Sequence, residues 1–204
     1  MSDVPGTTRR VLSLLLVAGL AGTVGCEAPG PSGPAPEVEL ATARVGGPGA
    51  VDIVTFDDGT VVGEASLTRA GNGVTLRAHM DADEGETFTV WSAVFNNPGE
   101  CDGPCDAGDI FDNPPVGGNF IRIAGGVAGG DGLHVSGRLR EGDASEGLIP
   151  GAPALMDAMT AEIHFIYRSH GQRIAGQIDE QTMSLNGGCP PNDCVDVAFS
   201  VHAP

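Results

Sequence analysis

The stretch Glu86–Cys105, ETFTVWSAVFNNPGECDGPC, constrains this chain more than any other. Phe88, Val90 and Val94 take one parity of an extended chain, and Trp91, Ala93 and Phe95 take the other. Apolar residues on both parities demand cover on both faces, so the segment reads as a central strand. Asn96-Asn97-Pro98-Gly99 then stops it, and Cys101 and Cys105 follow. On this pattern the only tryptophan, Trp91, is a core residue before it is a ligand-stacking one.

The rest reads as strands built around that one. Val38–Val45, Ala50–Phe56 and Thr60–Leu67 are broken by Gly46-Gly47-Pro48-Gly49 and by Asp57-Asp58-Gly59, whose Asp-Gly pair is a hairpin signal. Gly73–Met80 alternates, with Val74, Leu76, Ala78 and Met80 on one face and Thr75, Arg77 and His79 on the other. Further strands are expected at Phe120–Ala124, Leu133–Leu139, Ala161–Ser169 and Val195–His202, and short helices at Ala154–Met159 and Ile178–Leu185. With 32 glycines, 15 prolines and few aromatics, many short strands joined by turns are the natural solution. The expectation is all-β: a single β-sandwich or partly closed barrel of about eight to nine strands, with one or two short helices.

The first residues read as an address. Arg9 and Arg10 precede a short apolar run, Val11–Leu20, which is brief for a membrane span of about twenty residues and suited to a signal peptide. Thr23-Val24-Gly25-Cys26 resembles a bacterial lipobox, with Thr23 where such signals usually carry Leu; the resemblance implies cleavage before Cys26 and lipid on its sulfur. Thr8–Leu12 also partly resembles a twin-arginine signal. Glu27–Pro36, with four prolines and two glycines, reads as an extended tether. The expected organisation is a signal peptide over 1–25, a lipidated cysteine and tether over 26–37, and a β domain over 38–204. The chain would then be exported and lie in the cell envelope, meeting the membrane through the lipid anchor only.

Charge narrows the partners. Formal net charge is −17 and every one of the ten basic residues is Arg. Nucleic-acid binding needs clustered cations to neutralise phosphates, and docking on anionic lipid needs the same, so both are disfavoured. Solubility through net charge is the plain reading. Apart from Cys26, the cysteines form two local pairs, Cys101 with Cys105 and Cys189 with Cys194. Their spacing also suits a four-thiolate zinc site, but an exported chain meets oxidants first, which favours disulfides.

Gly73–Met80, the acidic turn with Gly85, and the Thr-Val-Trp strand ending in Phe95-Asn96-Asn97-Pro98 resemble exported chordin-repeat-type domains. That type is itself similar to the copper/zinc superoxide dismutase sandwich. The likeness spans about Gly63–Leu139; Arg168–Gly171 and Asn186–Cys189 resemble a recurrent exported-protein pattern. It implies architecture only, because the His-x-His pair of the dismutase metal site does not occur in this sequence.

Two constellations can carry chemistry. His79, His134, His164, His170 and His202 each oppose the core parity of their own strand; if the strands share a sheet, His134, His164, His170 and His202 are Cu/Zn candidates, and otherwise they are polar residues on a solvated face. Asp102, Asp106, Asp109 and Asp112, with Asn113, suit Ca²⁺ or simply a hydrated turn-rich loop. Glu162 and His164 share a parity and can pair. Gly-x-Ser-x-Gly, Walker and His-Glu-x-x-His motifs do not occur. The expected role is a lipid-anchored binding or structural module without enzymatic activity; the alternative is a metal-binding or redox protein using the histidines.

Overall fold

The computed structural model describes residues 49–204. The expected signal peptide, Cys26 as the expected lipidation site, the expected tether and the strand expected at Val38–Val45 lie outside the described residues. The described strands are β1 (Ala50–Thr55), β2 (Val61–Ala70), β3 (Gly73–Met80), β4 (Glu86–Phe95), β5 (Gly118–Val127), β6 (Leu133–Arg140), β7 (Glu162–Gln172) and β8 (Val195–His202). Two short helices, α1 (Ala107–Asp112) and α2 (Ile178–Met183), complete the set.

All eight strands join one antiparallel sheet in the order β5-β4-β7-β8-β1-β2-β3-β6. The all-β expectation holds, and the form is a nearly closed barrel. Its two edge strands, β5 and β6, meet by packing without a ladder. At Gly137 a Cβ would stand 2.1 Å from the Ile123 carbonyl oxygen, so only glycine lets the edges approach this closely.

The interior is aliphatic with three large rings. Ile53, Leu76, Val90, Ile121 and Leu133 pack with Phe88, Phe165 and Tyr167, all essentially inaccessible to water. Leu155, Ala158 and Ala161 close this core from the connection before β7. A second apolar layer lies outside the barrel, where Ala93 and Phe95 of β4 meet Cys105, Ile110 and Val116. β4 is therefore covered on both faces, as its two-sided apolar pattern requires.

Three local expectations are corrected. Ala154–Met159 is not a helix: Asn96 donates to Ala154 O (2.9 Å) and accepts from Met156 N (2.8 Å), so a side chain has taken the backbone groups a helix would use. The acidic loop after Cys105 instead contains α1, whose Asp106 and Asp109 form a reciprocal capping box. On β8 the core parity is the reverse of that expected: Ala198, Ser200 and His202 are buried, while Val197, Phe199 and Val201 are partly exposed. Long apolar side chains there look like core residues, yet the sheet puts them on its outer face.

Candidate functional site

The outer face of β4, β7 and β8 carries an apolar cleft of about 220 Å³. Register builds it. Ala93 stands opposite His164, His164 opposite Val201, and Ile166 opposite Phe199, so these side chains share one face across three strands. Phe95, Phe120 and Phe56 complete the wall. Phe56 is 44% exposed and sits with its ring centroid 4.8 Å from that of Phe199. Cys105, Asp106 and Ala107, from the Cys101–Cys105 loop and the start of α1, also line the cleft.

One polar wall residue of the cleft, His164, has a carboxylate partner behind it. His164 Nε2 lies 2.7 Å from Glu162 Oε1, both side chains are largely buried, and the imidazole packs 4.8 Å from the Phe95 ring. Asp106 is the other polar wall residue, but its Oδ1 already accepts from Gly108 N (2.7 Å) as the cap of α1. The arrangement can hold an apolar body and offer a hydrogen-bonding or ion-pairing group at one place.

Both expected cysteine pairs are disulfides, with Cα–Cα separations of 5.3 Å for Cys101–Cys105 and 6.0 Å for Cys189–Cys194. The four histidines expected as metal ligands are not gathered. His164 faces outward, while His202, its neighbour across the β7–β8 ladder, faces into the barrel against Phe165 (5.1 Å) and Ser200. His170 lies six residues beyond His164 on β7, a separation of about 20 Å along an extended strand. His134 stands on β6 beside His79, away from all three.

Nor do His170 and His202 sit on a solvated face. Burial, reinforced by the nearby Arg69 charge, pushes the His202 imidazole down to about 4. His170 is fully inaccessible, and burial lowers its basicity as well. Its Nδ1 lies 2.9 Å from Gly187 O, a pure acceptor, so Nδ1 carries the proton. Nε2 then accepts from Thr89 Oγ1 (2.8 Å), which itself accepts from Trp91 Nε1 (3.0 Å). This chain makes Trp91 a buried residue with its indole N–H satisfied. Cys194 Sγ is 3.1 Å from His170 Nδ1, but both sulfurs of that loop are spent on each other, leaving no thiolate for a metal.

The four acids behave differently. Asp102, Asp106, Asp109 and Asp112 do line one surface hollow with Asn113. Two of them are committed to backbone: Asp109 accepts from Asp106 N (3.0 Å) and Asp102 N (3.3 Å), and Asp106 caps α1. The Asp106 N–H holds the Asp109 carboxyl below its usual range. These are the turn-forming roles such residues adopt in a hydrated loop.

Sequence reasoning missed Phe56, Ile166, Phe199 and Val201 as cleft residues. One signal was present: in Ile163–Tyr167 the residue between Phe165 and Tyr167 is Ile166, so β7 carries apolar groups on both parities, as β4 does. No protein-family model, curated protein or solved structure matches the chain. No helix among the described residues is long and apolar enough to cross a membrane.

Proposed function

We propose that this chain is a lipid-anchored, exported binding module that takes a small apolar or aromatic ligand into the cleft on β4, β7 and β8. The cleft itself carries the reading: nine apolar wall residues, Cys105 included and four of them phenylalanines, around His164, which pairs with Glu162. Ligand sites combine apolar walls with a few placed polar groups in this way. A neutral or cationic ligand is favoured over an anionic one, because the net charge of −17 and Glu162 both repel anions. The address supports the cellular side of the reading: Arg9, Arg10, the Val11–Leu20 run, Cys26 and the Pro/Gly tether together suit an anchored domain held clear of the membrane.

The test uses the neutral fluorophore N-phenyl-1-naphthylamine. Emission should rise saturably on mixing with the protein, and Val201→Trp, which fills the cleft from an exposed face, should weaken binding at least tenfold. No saturable signal, or unchanged affinity in Val201→Trp, overturns the proposal.

A further inference from the structure

A separate cluster lies on strands that take no part in the cleft. β3 and β6 place His79 and His134 directly opposite each other in the ladder. Both are exposed, and their rings stack with centroids 4.4 Å apart and planes 14° from parallel. Their Nε2 atoms converge on one residue: His79 Nε2 is 3.0 Å from the Asp131 carbonyl oxygen, and His134 Nε2 is 3.1 Å from Asp131 Oδ2.

Asp131 is held there by the β5–β6 hairpin turn. Gly129 and Gly132 exchange both backbone hydrogen bonds (2.9 and 3.2 Å). Gly132 presses on the end of β3, where a Cβ would stand 2.5 Å from the Met80 carbonyl oxygen. Turn and strand are thus locked together, with Asp131 over the two imidazoles. Glu64 stands opposite His79 on β2 and lines the same shallow hollow.

We propose that His79, His134 and Asp131 form a surface site for a late first-row divalent cation, Cu²⁺ or Zn²⁺, with Glu64 as a neighbouring carboxylate. Two imidazole nitrogens and a carboxylate are donors these ions prefer, and affinity rises to Cu²⁺ along the series. In the metal-free state each Nε2–H donates to an Asp131 oxygen. Binding takes the neutral tautomer with its proton on Nδ1, and the two exposed rings, stacked nearly parallel in the metal-free state, turn so that both Nε2 lone pairs meet at one ion beside Asp131. The acidic chain raises the local cation concentration.

The whole chain, purified without a polyhistidine tag and stripped with chelator, is titrated calorimetrically with CuCl₂ and with ZnCl₂. The expected result is one ion per chain, Cu²⁺ bound more tightly than Zn²⁺. Single His79→Asn and His134→Asn changes should weaken binding at least about tenfold, the double change should abolish it, and His164→Asn should leave it intact. Electron paramagnetic resonance of the Cu²⁺-loaded wild-type chain needs no variant and should show nitrogen hyperfine structure from two imidazoles. Lack of binding by the wild type, binding that survives the double change, or a spectrum without nitrogen coupling overturns the site. Since the cleft residues are untouched, naphthylamine binding reports on that proposal independently.

Discussion

Two disulfide-closed loops cover the outer side of the barrel near β4 and β7, and they do so by different means. The Cys101–Cys105 loop and α1 rest on the sheet through apolar contact: Cys105, Ile110 and Val116 lie against Ala93 and Phe95. Their side-chain hydrogen bonds run within the loop, as from Asn113 to Glu100 O and from Asn97 to Pro115 O. The Cys189–Cys194 loop is pulled down by directed bonds. Asn192 donates to His170 O and Gln172 O, both at 2.7 Å, while His170 donates to Gly187 O. Buried Gln181 of α2 adds bonds to Thr87, His170 and Gln172. Hydrogen bonds fix distance and leave no gap, whereas apolar contact is non-directional and tolerates one. The cleft is found beneath the loop that lacks such bonds to the sheet.

The sharpest way to break this contrast is at Trp91, which joins the sealed side through Thr89 and His170. Trp91→Ala should cost about 3–5 kcal/mol of stability in denaturant unfolding. A near-neutral result would show that the sealed side is loose. Naphthylamine binding to the cleft should survive in the folded fraction.

Acid tests the buried histidines. The unfolded-state pKa of His202 is near 6.5 and its folded value is about 4, so the unfolded chain takes up a proton first as pH falls. Its contribution is therefore fully present above about pH 6.5, is lost progressively down to about pH 4, and amounts to about 3 kcal/mol. Buried His170 acts in the same direction. Unfolding free energies measured across this range should fall, and His202→Leu should flatten the slope. An unchanged slope would mean His202 is solvated.

Next come the disulfides. Replacing both cysteines of either pair with Ser should cost about 2 kcal/mol, since both loops are short. The two variants should separate in the binding assay: loss of Cys101–Cys105 weakens naphthylamine binding, and loss of Cys189–Cys194 does not. Equal effects on binding would erase the distinction between the loops. The smallest expected effect is at the cap of α1. Asp106→Ala should cost about 1 kcal/mol by thermal melting, with a modest loss of cleft affinity.

Much of the fold was legible because strand periodicity is local. The bounds expected for β3 and β8, Gly73–Met80 and Val195–His202, coincide with those observed. The two-sided burial of β4 followed from apolar residues on both parities. The helix at Ile178–Met183 lies inside the expected span, while α1 was hidden in an acidic stretch read as a calcium site or a turn-rich loop. The sites were far less legible. Asp106 and Asp109 are three residues apart in sequence, yet whether they bind an ion or the backbone depends on a capping geometry that composition does not state.

By itself, the sequence determined an all-β chain and a central strand buried on both faces, since each follows from residues close along the chain; it paired the cysteines locally but left zinc beside disulfides, which the structure decided. Only the tertiary structure decided which face of each strand became interior. β8 shows why: Val197, Phe199 and Val201 alternate with Ala198, Ser200 and His202, and bulk alone favours the first set for the core. The register with β7 sends Phe199 and Val201 outward to build the cleft. In the same way His164 and His202 were parted by parity, and His79 and His134 were joined by a ladder between β3 and β6. Which residues meet across a sheet is set by strand order and register, and neither is encoded within any one strand.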